Sequence, residues 1–252
     1  FIRLFNQGHI IADHQKMSKS RGNVIAPDDY VNSVGADVVR CYLMFLGPWD
    51  QGGDWSDSGL KGMARWMNRV WELANRDHRK LDQNSSDQKA SKEIHRLVHK
   101  TIRRVTEDLS KFKFNTALAA LMEMTNAMSK FWDEQNISRN DWLKTIEKLT
   151  LLIAPMAPHI AEEIWKIINQ EYSVHNQKWP DWDPKIAADE VFTMVVQVNG
   201  KLRDRLEVPV SINESDARTV ALSSKRVSSY ISGKELRRVI YVPGKLLNIV
   251  TQ

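Results

Sequence analysis

The chain has 252 residues, 42% of them hydrophobic, which exceeds one typical domain and supplies enough apolar material for two or three cores. No apolar run approaches the ~18–20 residues that span a membrane, and the single cysteine, Cys41, excludes an internal disulfide and a cysteine-based zinc site and fits a reducing, cytoplasmic setting. The net charge of +5 is unevenly placed: residues 191–252 hold ten basic and five acidic side chains while the remainder nets zero, so a polyanion-binding surface is expected in the last segment.

Gly8-His9-Ile10-Ile11-Ala12 reads as a short strand, with Asp13 and His14 as polar punctuation. It feeds Lys16-Met17-Ser18-Lys19-Ser20-Arg21-Gly22-Asn23, in which two ammonium groups three residues apart alternate with two hydroxyls. Curled, such a loop brings both cations to one polyphosphate while the hydroxyls orient its oxygens or brace the turn. Gly22 and Asn23 tolerate left-handed backbone angles and are expected to let the loop open and close. A generic Lys/Ser cluster reads equally well as a solvated basic turn; the complete octet, together with the sequence downstream of it, favours phosphate chemistry. Pro27 starts a helix over 27–34, with Asp28 and Asp29 at its positive end and Gly35 ending it. A second, apolar helix runs over 36–46, stopped by Gly47-Pro48.

Residues 51–54 read as a flexible connection, and Ser56 or Asp57 caps a long helix to 79. Residues 80–88 are a polar surface connection. Apolar spacing of three and four predicts further helices over 89–111, 115–134 with Asn115 as cap, 141–154, and 158–171 from Pro158, together an antiparallel bundle. His95 and His99 have the spacing of a zinc-binding face, but no third ligand accompanies them and a solvated helix face is favoured. Arg103, Arg104, Lys111 and Lys113 read as a solvated face, most of the nine tryptophans as core, and His159 as a packing residue at a helix start.

After 171 the pattern changes. Trp179-Pro180-Asp181-Trp182-Asp183-Pro184 cannot continue a helix, and its tryptophans are expected to pin a linker onto the bundle. Residues 191–198 alternate, Asn199-Gly200 is the strongest two-residue hairpin signal, and 202–208 complete the partner strand. A helix over 214–222, with Asn213 or Ser215 as cap, and strands over 236–242 and 246–250 complete a small α/β domain with helix on one face of a sheet.

The octet is a signature of class I aminoacyl-tRNA synthetases. With three later stretches, it resembles the bacterial-type leucyl-tRNA synthetases over essentially the whole chain. Those stretches are Tyr42-Leu43-Met44-Phe45-Leu46-Gly47-Pro48-Trp49, Ala154-Pro155-Met156-Ala157-Pro158-His159-Ile160-Ala161-Glu162-Glu163-Ile164-Trp165 and Val196-Gln197-Val198-Asn199-Gly200-Lys201-Leu202-Arg203-Asp204. The octet alone would equally fit the methionine, isoleucine or valine enzymes, and the final hairpin favours leucine. A free-standing tRNA-binding module is the alternative from another class. The chain opens at Phe1 and holds no His-x-Gly-His signature, so a C-terminal fragment is expected, inactive alone.

The resemblance implies a mixed fold: the C-terminal edge of a Rossmann-type catalytic domain over 1–50, a helical, anticodon-binding-like bundle over 51–175, a linker over 176–190 and a tRNA-binding α/β domain over 191–252. It implies ATP at Lys16, Met17, Ser18, Lys19 and Ser20, with Lys16 and above all Lys19 stabilising the departing pyrophosphate, and Mg²⁺ accompanying the nucleotide. It further implies tRNA(Leu) as partner, leucine and ATP as substrates of the intact enzyme, a cytoplasmic monomer and no membrane association. From charge and position, Lys201, Arg203, Arg205, Lys225, Arg226, Arg237 and Arg238 are the candidate tRNA contacts. Strand alternation places Lys201, Arg203 and Arg205 on one face.

Overall fold

Two consecutive left-handed residues, Asp13 (φ 53°) and His14 (φ 57°), turn strand β1 (Ile10–Ala12) back along β2 (Gln15–Lys16). Positive φ at both central residues is what a tight two-residue hairpin requires. The computed structural model describes residues 2, 4–83, 87–188 and 191–252. Helices α1 (Pro27–Val34) and α2 (Ala36–Phe45) come next, and β3 (Gly53–Asp54) then returns to lie parallel to β1, giving a sheet ordered β2-β1-β3.

The strand β3 corrects the expectation of a flexible connection over 51–54. A side chain on Gly8 would place its Cβ 2.0 Å from the Gly52 nitrogen, and one on Gly52, itself at φ 72°, would lie 2.1 Å from the His9 carbonyl oxygen. These glycines allow two backbones to touch, and the contact is closed by Gly53 N–H donating to His9 O at 3.2 Å and Trp55 N–H to Ile11 O at 2.9 Å.

Helix α2 is buried on Val38, Val39, Cys41 and Tyr42. Burial pushes the Cys41 thiol up to about 12, so it is an inert core residue. The bundle continues with α3 (Asp57–Asn75), α4 (Gln88–Ser110), α5 (Phe114–Asp133), α6 (Arg139–Ile153) and α7 (Pro158–Ile167). One core joins them, with Leu73, Val105, Leu118, Met124 and Leu152 fully buried. No helix among the described residues is long and apolar enough to cross a membrane.

Several helix ends differ from expectation. Helix α3 stops at Asn75 and a short 3₁₀ turn, His78–Lys80, comes after it, capped by Asp77. Within the expected surface connection over 80–88, Leu81 is buried, and residues 84–86 lie outside the described residues. Asn115 is not a cap, because α5 already begins at Phe114 after Phe112 turns the chain at φ 57°. Helix α6 starts earlier than expected because Ser138 accepts the Asp141 N–H at 3.1 Å. Helix α7 ends at Ile167, ahead of left-handed Asn169.

Two charged residues of α2 grip the turn before α7. Buried Asp37 accepts the Ile160 N–H at 2.8 Å on one oxygen, and its other oxygen lies 2.8 Å from His159 Nδ1. Arg40 donates to the Met156 and Pro155 carbonyls at 3.1 and 3.2 Å. His159, read as packing, is thus also a hydrogen-bond partner of α2.

The tryptophan segment lies on the bundle as expected over its described residues. Trp179 Nε1 donates to Thr106 Oγ1 at 2.7 Å, and Trp182 packs against the same core. His99 Nδ1 accepts the Asp183 N–H at 2.9 Å, so this imidazole is held as an acceptor. Residues 189–190 of the expected linker lie outside the described residues.

Backbone contacts divide the chain into two units, Phe1–Ala187 and Ala188–Gln252. The second is a mixed four-stranded sheet ordered β5-β4-β7-β6, from β4 (Val191–Val198), β5 (Lys201–Pro209), β6 (Leu236–Val242) and β7 (Leu246–Thr251). Asn199 (φ 51°) and Gly200 (φ 76°) make the expected hairpin turn. Helix α8 (Glu214–Ser223) is capped by Asn213, and a second helix, α9 (Lys225–Ile231), starts at once because Ser224 ends one and caps the other. Met194, Val196, Val208, Ala217, Ala221, Val227, Leu247 and Ile249 form the core of this unit.

These anchors lead to two expected outcomes. Asp37→Ala should destabilise unit Phe1–Ala187 by about 1–3 kcal/mol, as for loss of a buried cap, whereas His159→Gln, whose side chain is largely exposed, should change a denaturant midpoint little. Burial is the largest influence on His99 and holds its pKa below the ordinary imidazole value. The folded state therefore takes up this proton less readily than the unfolded chain. Its stability is complete above the unfolded imidazole pKa of about 6.5 and declines as pH falls through the lower folded value. Urea titrations at a series of pH values should show this slope, and His99→Gln, which keeps an acceptor without a titrating ring, should flatten it.

Candidate functional site

The lysine loop grows directly from the β1–β2 hairpin. Lys16 ends β2, Met17 is half-buried, and Ser18 enters a 3₁₀ turn, Lys19–Arg21, that closes at left-handed Gly22 (φ 69°). Arg21 N–H donates to Ser18 O at 3.1 Å and Gly22 N–H to Lys19 O at 3.2 Å. The hydroxyls of Ser18 and Ser20 lie 2.9 Å apart, and Arg21 reaches Gln15 Oε1 at 3.4 Å. Lys16 and Lys19 are exposed, and neither ammonium has a side-chain partner among the described residues. Two unneutralised cations and a pair of hydroxyls thus stand on one closed turn, the groups that an anion with several oxygens would engage.

Asn23 plays a different part from the one expected. It is not in the left-handed region; its side chain instead accepts the Ser18 N–H at 2.9 Å, with Nδ2 3.4 Å from Ala12 O and 3.5 Å from Lys16 O. The hairpin beneath is fixed in turn, since His14 N–H donates to Asp54 Oδ2 at 3.0 Å and His14 Nδ1 lies 2.6 Å from the same oxygen. Sequence reading missed both contacts. Asn23 was legible only as a turn former, and Asp54 stands 40 residues from His14.

In the second unit the candidate cations separate into classes. Lys201, Arg205, Lys225 and Arg238 are exposed and have no side-chain partner among the described residues. Arg237 donates to Gln252 Oε1 at 3.3 Å, and Arg226 lies 3.7 Å from Asp204. Lys225 and Arg226 lie beyond α8, as expected, and also open α9.

Arg203 is the clearest departure. The β4–β5 register breaks between Val196, which pairs with Asp204, and Gln197, which pairs with Leu202, leaving Arg203 as the extra residue of a bulge. Its guanidinium lies 3.8 Å from the Tyr230 ring centroid on α9, with Nε buried and unpaired. Arg205, next to Leu206 of the core, faces away from it. The simple alternation that put Lys201, Arg203 and Arg205 on one face is therefore overturned by the bulge: Lys201 pairs with core residue Val198, whereas Arg205 pairs with Val195, between core residues Met194 and Val196.

Among the described residues no group of three or more His, Cys, Asp or Glu is placed to hold a metal ion. His95 Nε2 lies 2.8 Å from Asp141, and His99 is engaged by Asp183, so this pair is tied into the bundle.

Comparison with known proteins gives these features a context. Residues 2–76 match the family model described as tRNA synthetases class I (M). The chain is 51% identical over all of its residues to the leucine–tRNA ligase of Dehalococcoides mccartyi and 49% identical over 99% of its length to that of Rubrobacter xylanophilus. It spans 31% and 30% of those two relatives. Among solved structures, it resembles the ternary complex of Agrobacterium radiobacter K84 agnB2 LeuRS with tRNA and LeuAMS. The TM-score there is 0.82 at 32% identity, covering 100% of this chain and 34% of that one. Residues 91–218, half of the chain, match the model of the anticodon-binding domain of tRNA ligase, and the chain belongs to that family.

Proposed function

We propose that the chain is the part of a leucine–tRNA ligase that supplies the phosphate-binding loop and the tRNA-binding units. The observation that carries this is the 51% identity to a leucine–tRNA ligase over the whole chain, a span that takes in the octet and the hairpin. In this reading residues 1–50 are the edge of a Rossmann-type nucleotide-binding body, 51–175 the bundle, 176–190 a linker and 191–252 a tRNA-binding domain. The parallel pairing of β1 and β3 around α1 and α2 supports the first assignment.

Activation of leucine by ATP joins the amino-acid carboxylate to the α-phosphorus and expels pyrophosphate. Negative charge accumulates on the leaving oxygens, and a cation positioned there lowers the barrier. Lys16 and Lys19 take this role because no carboxylate among the described residues neutralises them, while Ser18 and Ser20 orient phosphate oxygens. Magnesium would be held by the nucleotide phosphates themselves and would neutralise part of their charge. The same reading includes a cytoplasmic, monomeric enzyme. A methionine-type ligase is the second reading, favoured by the class I (M) match over residues 2–76.

In the intact ligase, Lys19→Ala should reduce leucine-dependent ATP–pyrophosphate exchange by about a hundredfold or more, as for removal of one transition-state contact, with leucine affinity unchanged. Exchange supported by methionine and not leucine would favour the second reading. In the last domain, recognition of folded tRNA rests on phosphate and ribose contacts. Lys201→Ala/Arg205→Ala should lower tRNA affinity and reduce the slope of log affinity against log salt by about two. Arg203→Ala should instead lower thermal stability, since its guanidinium packs on Tyr230. An unchanged salt slope in the double variant would place the tRNA surface elsewhere.

A further inference from the structure

We propose that Asn23 is the positioning residue of the lysine loop: its side-chain amide ties the loop to the hairpin and so fixes where Lys16 and Lys19 present their charge. This rests on the pyrophosphate reading above.

The geometry is that of a lasso. The Ser18 N–H, between the two lysines and next to Lys19, has Asn23 Oδ1 as its partner at 2.9 Å. From the same planar group Nδ2 faces the Ala12 carbonyl of β1 and the Lys16 carbonyl of β2 at 3.4 and 3.5 Å. The two long contacts are individually weak and the Ser18 bond is the strong one. A carboxamide alone supplies an acceptor and two donors on one short side chain, which is what a junction of one N–H and two carbonyls requires. Asn23 is half-buried, so water competes less for these bonds than for the exposed Ser18–Ser20 hydroxyl pair.

What Asn23 ties the loop to is itself immobilised. Strand β1 is paired on both sides, and the hairpin turn is held by Asp54 through His14. Without the amide, the segment between Lys16 and Gly22 keeps the local 3₁₀ bonds, the exposed Ser18–Ser20 hydroxyl pair and the long, exposed Arg21–Gln15 contact, and would have to be ordered at each catalytic cycle. Small misplacements of a catalytic group cost large factors in rate.

The test is a mutant cycle in the intact ligase, read as exchange rate, leucine KM and melting temperature. Asn23→Ala should slow exchange about ten- to a hundredfold, with leucine KM and melting temperature near wild type. Asn23→Asp keeps the Ser18 acceptor but sets a carboxylate against two carbonyls, and should also be slowed. Because Asn23 acts through both lysines, Lys16→Ala/Lys19→Ala/Asn23→Ala should be no slower than Lys16→Ala/Lys19→Ala. Wild-type exchange in Asn23→Ala, a further slowing in the triple variant, or a slow Asn23→Ala that has also lost leucine binding and thermal stability would each overturn the proposal. Wild-type exchange in Lys19→Ala would instead overturn the phosphate reading, and this inference with it.

Discussion

The seat of α2 on the turn before α7 anchors the segment of chain that leads from the lysine loop to β3. Asp37 is buried, and a buried carboxylate is tolerated only when its oxygens are satisfied. It finds the Ile160 amide, one of the N–H groups that α7 cannot satisfy within itself, and the His159 imidazole, while Arg40 takes two carbonyls of the same turn. Helix α2 lies between the loop and β3 in the chain, and β3 in turn fixes the hairpin from which the loop departs. The charge-assisted grip on α7 and the glycine contact between Gly8 and Gly52 therefore hold the two ends of one segment.

Charge by itself does not identify a binding residue. Arg104 is taken up by Glu123, Arg203 by the Tyr230 ring, and Arg226 stands near Asp204. Lys16, Lys19, Lys201 and Arg205 differ in having no side-chain partner among the described residues. A cation without a protein partner interacts fully with an arriving phosphate, whereas a paired one must first be released. The same distinction separates the two histidines of α4 from a metal face, since each already serves a neighbour of its own.

Local chemistry was legible wherever it decided the structure. Pro27 and Gly35 bound α1, Ser56 caps α3, and Asn199-Gly200 turns the β4–β5 hairpin, each through a backbone preference that needs no tertiary partner. The octet likewise announced a cationic loop. What escaped depended on contacts distant in sequence: β3 exists because Gly8 and Gly52 admit a second backbone, and the bulge at Arg203 reflects pairing with β4. Helix α9 was hidden because Ser224, a plausible loop residue, serves two helices at once. Asn23 shows the limit most plainly, since its residue type fitted a turn and only its three partners reveal a tie.

In the proposed function the loop lysines act on the leaving phosphates and not on the adenosine or the fold. This role is tested most directly by calorimetric titration of the intact ligase and its Lys16→Ala/Lys19→Ala variant with a non-hydrolysable leucyl-adenylate analogue, which lacks the β- and γ-phosphates, alongside inorganic pyrophosphate. The account predicts unchanged affinity for the analogue and a marked loss for pyrophosphate. Equal losses for both ligands, or an unchanged affinity for pyrophosphate, would contradict it.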